Sequence, residues 1–249
     1  MINIKSTSEI SKMRAAGKVA NDTFKELEKH IRPGITTKEL DKIAHDYIRS
    51  CNAIPSFLNY SGFPASICAS INDTVIHGIP DSTVLKDGDI ISLDIGAFLD
   101  GYHSDAARTY PVGDVSDEAR RLIEVTKQSF FEGLKYARHN ERLFSISATI
   151  QDYIESHGYS IVRNYCGHGI GKDLHESPEI PNHGIFGRGV RLCKGMTIAV
   201  EPMVNTGGFE TKCLSDGWTV KTKDGSLAAH YENTILITDG EPELLTCLN

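Results

Sequence analysis

Four carboxylates on or beside apolar, β-prone segments are the first residues in this sequence that could carry chemistry: Asp94, Asp105, Glu201 and Glu232. A buried carboxylate without a partner is costly, so an acid within an apolar strand indicates a ligand or an opposite charge nearby. Asp94 and Asp105 flank the hairpin signal Asp100-Gly101. They lie diagonally on one face if Asp100-Gly101 is the loop, and directly opposite if the turn centres between Leu99 and Asp100. Either register places both carboxylates on the same side.

His168 lies between two glycines in the segment Gly167–Gly171, and these glycines are expected to let the backbone crowd a ligand site. Taken alone, each acid could be a strand-end charge, and the histidine could belong to the core. Together, about four negative charges would not all stay ionised without compensation. Two divalent cations about 3.5–4 Å apart, bridged by carboxylates, would compensate them and form a hydrolytic centre. Oxygen-rich ligands with one imidazole favour Mn(II), Fe(II), Co(II) or Zn(II).

Four helices and two groups of strands would position these residues. Capping boxes at Ser6-x-x-Glu9 and Thr36-x-x-Glu39 begin the first two helices, and Pro33-Gly34 is expected to end the first. The apolar periodicity predicts the remaining boundaries, with helices over about 6–33, 36–51, 116–137 and 145–157 and strands over about 53–112 and 159–249.

A faint internal repeat relates the two halves of the chain. Residues 46–50 and 152–156 share four identities in five at an offset of 106, and a Leu/Gly/Ile/acid pattern at 85–94 recurs at 192–201. The repeat pairs Asp94 with Glu201 and Asp105 with Glu232, so the acids would converge where the halves meet. We therefore predict an α/β (α+β) fold with a single domain over 1–249. Its half-repeats, at about 1–113 and 114–249, would be related by a pseudo-twofold axis around a central antiparallel sheet.

The composition excludes several classes of protein. The 249 residues carry a formal charge of −7, which disfavours binding to DNA, where a basic face dominates affinity. No apolar run approaches the roughly 18–20 residues that span a bilayer, and the first ten residues lack a signal peptide. We expect a cytoplasmic monomer, with six widely spaced cysteines as reduced thiols.

Several strings are specific enough to indicate a family: Asn59-Tyr60-x-Gly62-Phe63-Pro64, Ser70-Ile71-Asn72, His77-Gly78-Ile79-Pro80, Gly167–Gly171 and Glu201-Pro202. Together with the order and spacing of the five candidate ligands, they resemble the methionine aminopeptidases of the pita-bread (creatinase–aminopeptidase) fold. The resemblance covers about residues 4–247. The short gap between Glu201 and Glu232 is similar to that of bacterial type I members, since type II members carry an inserted subdomain there.

The resemblance implies an enzyme that removes the N-terminal methionine from nascent proteins and peptides, favoured when the second residue is small. It implies that Asp105 and Glu232 bridge two divalent ions (Co, Mn, Fe(II) or Zn). Asp94 would complete one ion, and His168 with Glu201 would complete the other. A metal-bridging water or hydroxide would attack the scissile carbonyl, with Glu201 as the proton shuttle.

Further roles follow from the same resemblance. His175 would stabilise the developing oxyanion, and His77 would contact substrate near the scissile amide. The implied wall of the methionine pocket consists of Tyr60, Phe63, Cys68 and Trp218. Three positions depart from the family: Leu174, where an aromatic residue is common, and His230 and Asn233, where Gln and His are common.

Two other functions remain open at this stage. An Xaa-Pro aminopeptidase or dipeptidase would use the same fold and ligand types, although such relatives usually carry an extra N-terminal domain. A non-catalytic peptide-binding module would also have this fold, but such relatives have lost ligands that are present here. Association with the ribosome would suit a nascent-chain substrate, and the sequence carries no signal for it.

Overall fold

Local sequence signals explain where three of the four helices begin in the computed structural model, which describes residues 2–246. Helix α1 (Thr7–Glu28) and helix α2 (Thr37–Ser50) both begin at complete capping boxes, in which Ser6 pairs with Glu9 and Thr36 with Glu39. Helix α3 (Asp117–Leu134) is capped by Ser116, and helix α4 (Leu143–Ser156) follows. The sequence-based end of α1 was wrong, because the helix stops five residues before Pro33. A single 3₁₀ turn covers Tyr60–Gly62.

Within residues 2–246, fifteen strands make up four sheets, and every pairing between these strands is antiparallel. In chain order, the strands β1 to β15 are Ile54–Pro55, Cys68–Ile71, Thr74–Ile76, Ile90–Leu99, Tyr102–Pro111, Ser160–Ile161, Gly167–Gly169, Glu176–Ile180, Thr197–Val200, Met203–Asn205, Thr211–Cys213, Val220–Thr222, Ala228–His230, Asn233–Leu236 and Glu243–Leu244.

The two halves of the chain repeat one plan of two helices packed over an antiparallel sheet. In the first half, α1 and α2 pack on the sheet of β1, β2, β4 and β5 around a core that includes Leu40 and Leu93. In the second half, α3 and α4 pack around a core that includes Phe130 and Ile198, beside the sheet of β7, β8, β9, β14 and β15. This repetition agrees with the sequence repeat.

A backbone seam joins the two halves at the centre. Ala107 on β5 and Glu232 exchange both backbone hydrogen bonds, at 2.9 and 3.3 Å. The Thr234 hydroxyl both donates to the Asp105 carbonyl oxygen and accepts from the Asp105 N–H, at 2.9 and 3.0 Å. The hairpin of β4 and β5 in the first half is therefore hydrogen-bonded to the second half beside two of the candidate acids, Asp105 and Glu232. The division into half-repeats within one domain stays a prediction, and this seam supports it.

Two further expectations concern membranes and cysteines. None of the helices within 2–246 is long and apolar enough to cross a membrane. The five cysteines in that range are free thiols, whereas Cys247 lies outside the described residues.

Candidate metal centre and substrate pocket

The first pair of acids lies on the hairpin of β4 and β5. Leu99 pairs with Tyr102, so Asp100-Gly101 is the two-residue loop, and Asp94 pairs with Ala107. Asp105 lies two residues from Ala107 on the same strand, so the two carboxylates are diagonal neighbours on one face. Of the two registers that the sequence allowed, the structure has the diagonal one.

The second pair of acids lies where two strands bend together from one sheet into another. Glu201 separates β9 from β10, and Glu232 separates β13 from β14. The pairs Asn233–Val200 and Met203–His230 share one register on either side of the bend, which puts Glu201 directly opposite Glu232. Two ionised carboxylates on directly opposite residues repel each other, and a bound cation would relieve the repulsion.

His168 lies on the short strand β7 and is directed by its own neighbours. Its Nδ1 pairs with the carbonyl oxygen of Gly169 at 2.8 Å. The other ring nitrogen, Nε2, therefore faces the acids, 3.7 Å from Asp105 Oδ2 and 3.8 Å from Glu201 Oε1. In metal sites, a hydrogen bond from the ring nitrogen that does not bind the metal commonly orients the imidazole.

The glycines beside His168 do not have the role that the sequence indicated. A Cβ atom on Gly167 would lie 2.2 Å from the Ala199 carbonyl oxygen, and one on Gly169 would lie 2.3 Å from the Ser177 carbonyl oxygen. Both glycines let neighbouring backbone approach β7. The crowding comes from adjacent strands rather than from a ligand.

Burial changes the charge state of the carboxyl groups. It raises the pKa of Asp94 to about 7 and the pKa of Glu201 to about 8. Burial, followed by repulsion from neighbouring acids, holds the pKa values of Asp105 and Glu232 well above their usual range. Burial lowers the pKa of His168 to about 3, so its imidazole is neutral and able to bind a metal.

The donor set fits a divalent cation. Three carboxylate oxygens have no hydrogen-bond partner within residues 2–246: Asp94 Oδ1, Asp105 Oδ1 and Glu232 Oε1. Orphaned buried oxygens are rare in proteins, and a bound cation would satisfy them. Two groups offer ligand atoms that all lie within 4.8 Å of one another, namely Asp105 with His168 and Glu232, and Glu201 with His230 and Glu232.

One cavity of about 110 Å³ brings all the candidate site residues together. Its lining includes the five candidate ligands and the six residues expected to touch substrate: Asp94, Asp105, His168, Glu201, Glu232, Tyr60, Phe63, Cys68, His77, His175 and Trp218. The cavity thus has a polar floor of acids and an apolar wall. Phe57 and Leu174 also line it. Phe57 was missed in the sequence, because one aromatic residue in a turn-rich stretch has no distinguishing pattern.

The apolar wall is built from ring contacts. Phe63 is 2% exposed and packs edge-to-face on Trp218, with ring centroids 5.1 Å apart. His77 also packs on Trp218, at 6.1 Å. Its backbone has a φ of +56°, which is uncommon for a residue other than glycine and typical of functional positions. Burial lowers the pKa of His77 to about 4, so the ring is neutral at neutral pH.

His175 lies at the rim of the cavity between the wall and the acids. Its Nδ1 is 2.7 Å from the Tyr60 hydroxyl, and its ring centroid is 4.2 Å from that of His168. Its neighbour Glu176 forms an ion pair with Lys5 at 2.5 Å, in which each side chain is 5% exposed. The loop that carries His175 is thereby attached to the N-terminal segment.

His230 occupies a position that the sequence marked only as a departure from the family. It ends strand β13, two residues before Glu232. Its Nε2 lies 3.6 Å from Glu201 Oε2 and 4.0 Å from Glu232 Oε2. The two-residue spacing was the signal that could have added His230 to the candidate ligands.

A buried cluster of acids and imidazoles at the foot of an apolar pocket is the arrangement of a hydrolytic metal site, and comparison with known proteins agrees. Residues 11–239 match metallopeptidase family M24. The chain belongs to this family. A methionine aminopeptidase of Clostridium acetobutylicum is 57% identical over 247 residues, which are 99% of either chain.

Solved structures separate two branches of the M24 fold. The crystal structure of a methionine aminopeptidase from Rickettsia prowazekii has a TM-score of 0.98 and 46% identity, covering 99% of this chain and all of that one. A prolidase from Pyrococcus furiosus has a TM-score of 0.81 and 21% identity, covering 99% of this chain but 66% of its own length. The prediction of a pita-bread fold is confirmed, and this M24 chain carries a residue cluster able to bind metal.

Proposed function

We propose that this M24 chain removes the N-terminal methionine from nascent proteins and peptides when the second residue is small. The observation that carries the proposal is the single cavity in which the acids and His168 lie at the foot of the aromatic wall. An exopeptidase needs such an arrangement, because the side chain of the first residue must fill a closed pocket while its carbonyl reaches the metal site. Relatives that match over almost their full length are named for this activity.

Two divalent ions, of Mn, Fe(II), Co or Zn, are the cofactors in this proposal. Asp94, Asp105, His168, Glu201 and Glu232, which all line the cavity, would hold the two ions. When bound, the ions supply Lewis-acid polarisation of the scissile carbonyl and a water of lowered pKa. The orphaned oxygens of Asp94, Asp105 and Glu232 support a role for these three residues, since each oxygen would otherwise remain unsatisfied.

The remaining steps belong to side chains of the chain itself. Glu201, which lines the cavity, would accept a proton at a carboxylate oxygen and return it to the leaving amine. When His175 Nδ1 accepts a hydrogen bond from the Tyr60 hydroxyl, His175 Nε2 carries the hydrogen that would stabilise the developing oxyanion. His77 would contact the substrate near the scissile amide.

The pocket wall explains a preference for methionine. Phe63, Cys68 and Trp218 offer an apolar, largely dry surface, with the Tyr60 ring at the rim. A flexible unbranched thioether fills an irregular apolar gap well and makes favourable contacts with aromatic rings. Charged and β-branched first residues would lose these contacts.

One assay separates this function from its alternatives. Metal-loaded protein is incubated with Met-Ala-Ser and with Ala-Pro, and the free amino acid is measured, with chelator-treated protein as the control. Release of methionine from Met-Ala-Ser alone is expected. Release from Ala-Pro but not Met-Ala-Ser would instead support an Xaa-Pro peptidase, and no release with any divalent metal would support a peptide-binding module.

The role of His175 has its own test. His175→Ala should largely preserve metal content while lowering turnover about 10²–10³-fold, as for the loss of an oxyanion donor. Tyr60→Phe is a second variant, because it keeps the ring but removes the hydroxyl that contacts His175 Nδ1, and it should lower turnover less than His175→Ala. Unchanged turnover of His175→Ala would exclude the role.

Cellular context stays a set of predictions. We propose a cytoplasmic monomer that acts on the N-termini of nascent chains, with the ribosome as a further partner. Sedimentation of cell extract checks the last point, since co-migration with ribosomes at moderate salt is expected.

A further inference from the structure

His230 has an unusual environment for a buried histidine. It is 2% exposed, and its Nε2 has no hydrogen-bond partner among residues 2–246. Carboxylate oxygens of two candidate ligands, Glu201 and Glu232, lie 3.6 and 4.0 Å from this nitrogen. A buried imidazole nitrogen that is left unpaired in a polar cluster calls for an explanation.

The distances distinguish a hydrogen bond from shared metal coordination. A hydrogen bond from imidazole to carboxylate is about 2.7–3.2 Å long, and the separations from His230 Nε2 are 3.6 and 4.0 Å. Ligand atoms that each lie about 2.0–2.2 Å from one cation are separated by about 3.0–4.2 Å, depending on the angle between them. Both separations of His230 fall in the second range.

His168 provides an internal comparison. Its Nε2 lies 3.7 and 3.8 Å from two carboxylate oxygens, nearly the same spacing as for His230. The two histidines approach opposite oxygens of one carboxylate, because His168 faces Glu201 Oε1 and His230 faces Glu201 Oε2. Glu201 is therefore flanked by an imidazole on either side.

The backbone holds His230 rigidly in this position. Its N–H donates to the Thr109 hydroxyl at 2.9 Å, and its carbonyl oxygen accepts from the same hydroxyl at 2.9 Å. Its Cα also pairs with Met203 in the β10–β13 ladder. A side chain attached to so constrained a backbone is preorganised for a ligand rather than free to turn away.

We propose that His230 is an additional metal ligand, whose Nε2 binds a divalent cation together with Glu201 and Glu232. The centre then has two imidazoles, one more than the five-residue set supplies. A second nitrogen ligand shifts preference from Mn(II) towards Co(II) and Zn(II), because imidazole binds the later metals more strongly than a carboxylate-only set does. This inference rests on the metal centre of the proposed function.

Paramagnetic proton NMR of the Co(II)-loaded protein tests the proposal. Each cobalt-bound histidine shows one strongly shifted, exchangeable ring N–H signal, so the wild type is expected to show two, from His168 and His230. His230→Gln should lose one signal and lose more affinity for Zn(II) than for Mn(II) in metal titrations. His30→Gln, at a half-buried site after α1, is the matched control and should keep both signals.

The outcomes separate this inference from the proposed function. A single signal in the wild type that persists in His230→Gln would overturn the inference and leave the metal centre intact. No tightly bound cobalt in the wild type would overturn both. The count in the wild type decides the question even if His230→Gln does not fold.

Discussion

The buried ion pair between Lys5 and Glu176 should contribute strongly to both stability and turnover. Its Nζ–Oε2 distance is 2.5 Å, and the two side chains are each 5% exposed. Burial tends to raise the pKa of Glu176, but hydrogen bonds from Lys5 and Asn3 outweigh it, so the pKa is lowered overall. The carboxylate is therefore ionised at neutral pH, and Lys5→Met would leave it buried without its main counter-charge.

The structure gives the size of the effect. Removing one partner of a buried ion pair costs about 3–5 kcal/mol of the free energy of unfolding. Glu176 keeps a hydrogen bond from the Lys172 N–H at 2.9 Å and another from the Asn3 amide at 3.1 Å. We therefore expect the low end, about 3 kcal/mol, which lowers the melting temperature by about 6–12 °C in a chain of this length.

Thermal and urea unfolding of Lys5→Met at neutral pH measure the change. The matched control is the double variant Lys5→Met with Glu176→Gln, which removes the charge together with its partner and should recover most of the loss. Turnover should fall in Lys5→Met, because the loop that carries His175 loosens, while metal content stays unchanged. A loss below about 1 kcal/mol, the usual value of a surface ion pair, would refute the reasoning.

Four further predictions concern the site. In metal-free protein, burial raises the pKa of Asp94 to about 7 and of Glu201 to about 8. The folded state therefore holds protons that the unfolded state has released, and its stability should fall from about pH 4 to about pH 8, where the folded carboxyls ionise. Thermal unfolding in chelator at several pH values checks this, and stability that rises over the range would contradict it. Metal binding near pH 7 should release protons, which calorimetry in buffers of different ionisation enthalpy would detect; zero release would show that the acids are already ionised. Phe63→Ala should lower the free energy of unfolding by about 3–5 kcal/mol and raise KM for methionyl peptides, with Phe57→Leu as a milder comparison. An unchanged KM would show that Phe63 does not contact the substrate. Gly169→Ala should weaken metal binding, because its Cβ would lie 2.3 Å from the Ser177 carbonyl oxygen and displace β7; metal titration showing wild-type affinity would contradict this.

Features that depend on residues only a few positions apart, such as helix caps and tight turns, could be predicted from the sequence. The capping boxes at Ser6 and Thr36 begin α1 and α2 as expected, because the cap and its partner are three residues apart. The hairpin loop at Asp100-Gly101 could be narrowed to two registers for the same reason. Helix ends were less accurate, since α1 stops at Glu28, where no strong local stop signal exists.

The internal repeat allowed one long-range prediction, namely that the four acids converge. Pairing Asp94 with Glu201 and Asp105 with Glu232 required only that two similar segments fold alike. The structure brings all four to one cavity, as that pairing implied. The glycines beside His168 were misinterpreted, since sequence alone cannot distinguish backbone that approaches a ligand from backbone that approaches a neighbouring strand.

The residue types of the candidate metal site, their spacing and the helix pairs follow from the order of amino acids, because periodicity, caps and repeats are properties of the sequence itself. The packing of Phe57 into the pocket, the orientation of His230 towards Glu201 and the ion pair between Lys5 and Glu176 were decided by the tertiary structure. These contacts form between segments that are far apart in the chain, or depend on how the backbone bends, and neither property can be derived from neighbouring positions. The backbone hydrogen bonds between Ala107 and Glu232 bring the two halves close enough for these contacts to form.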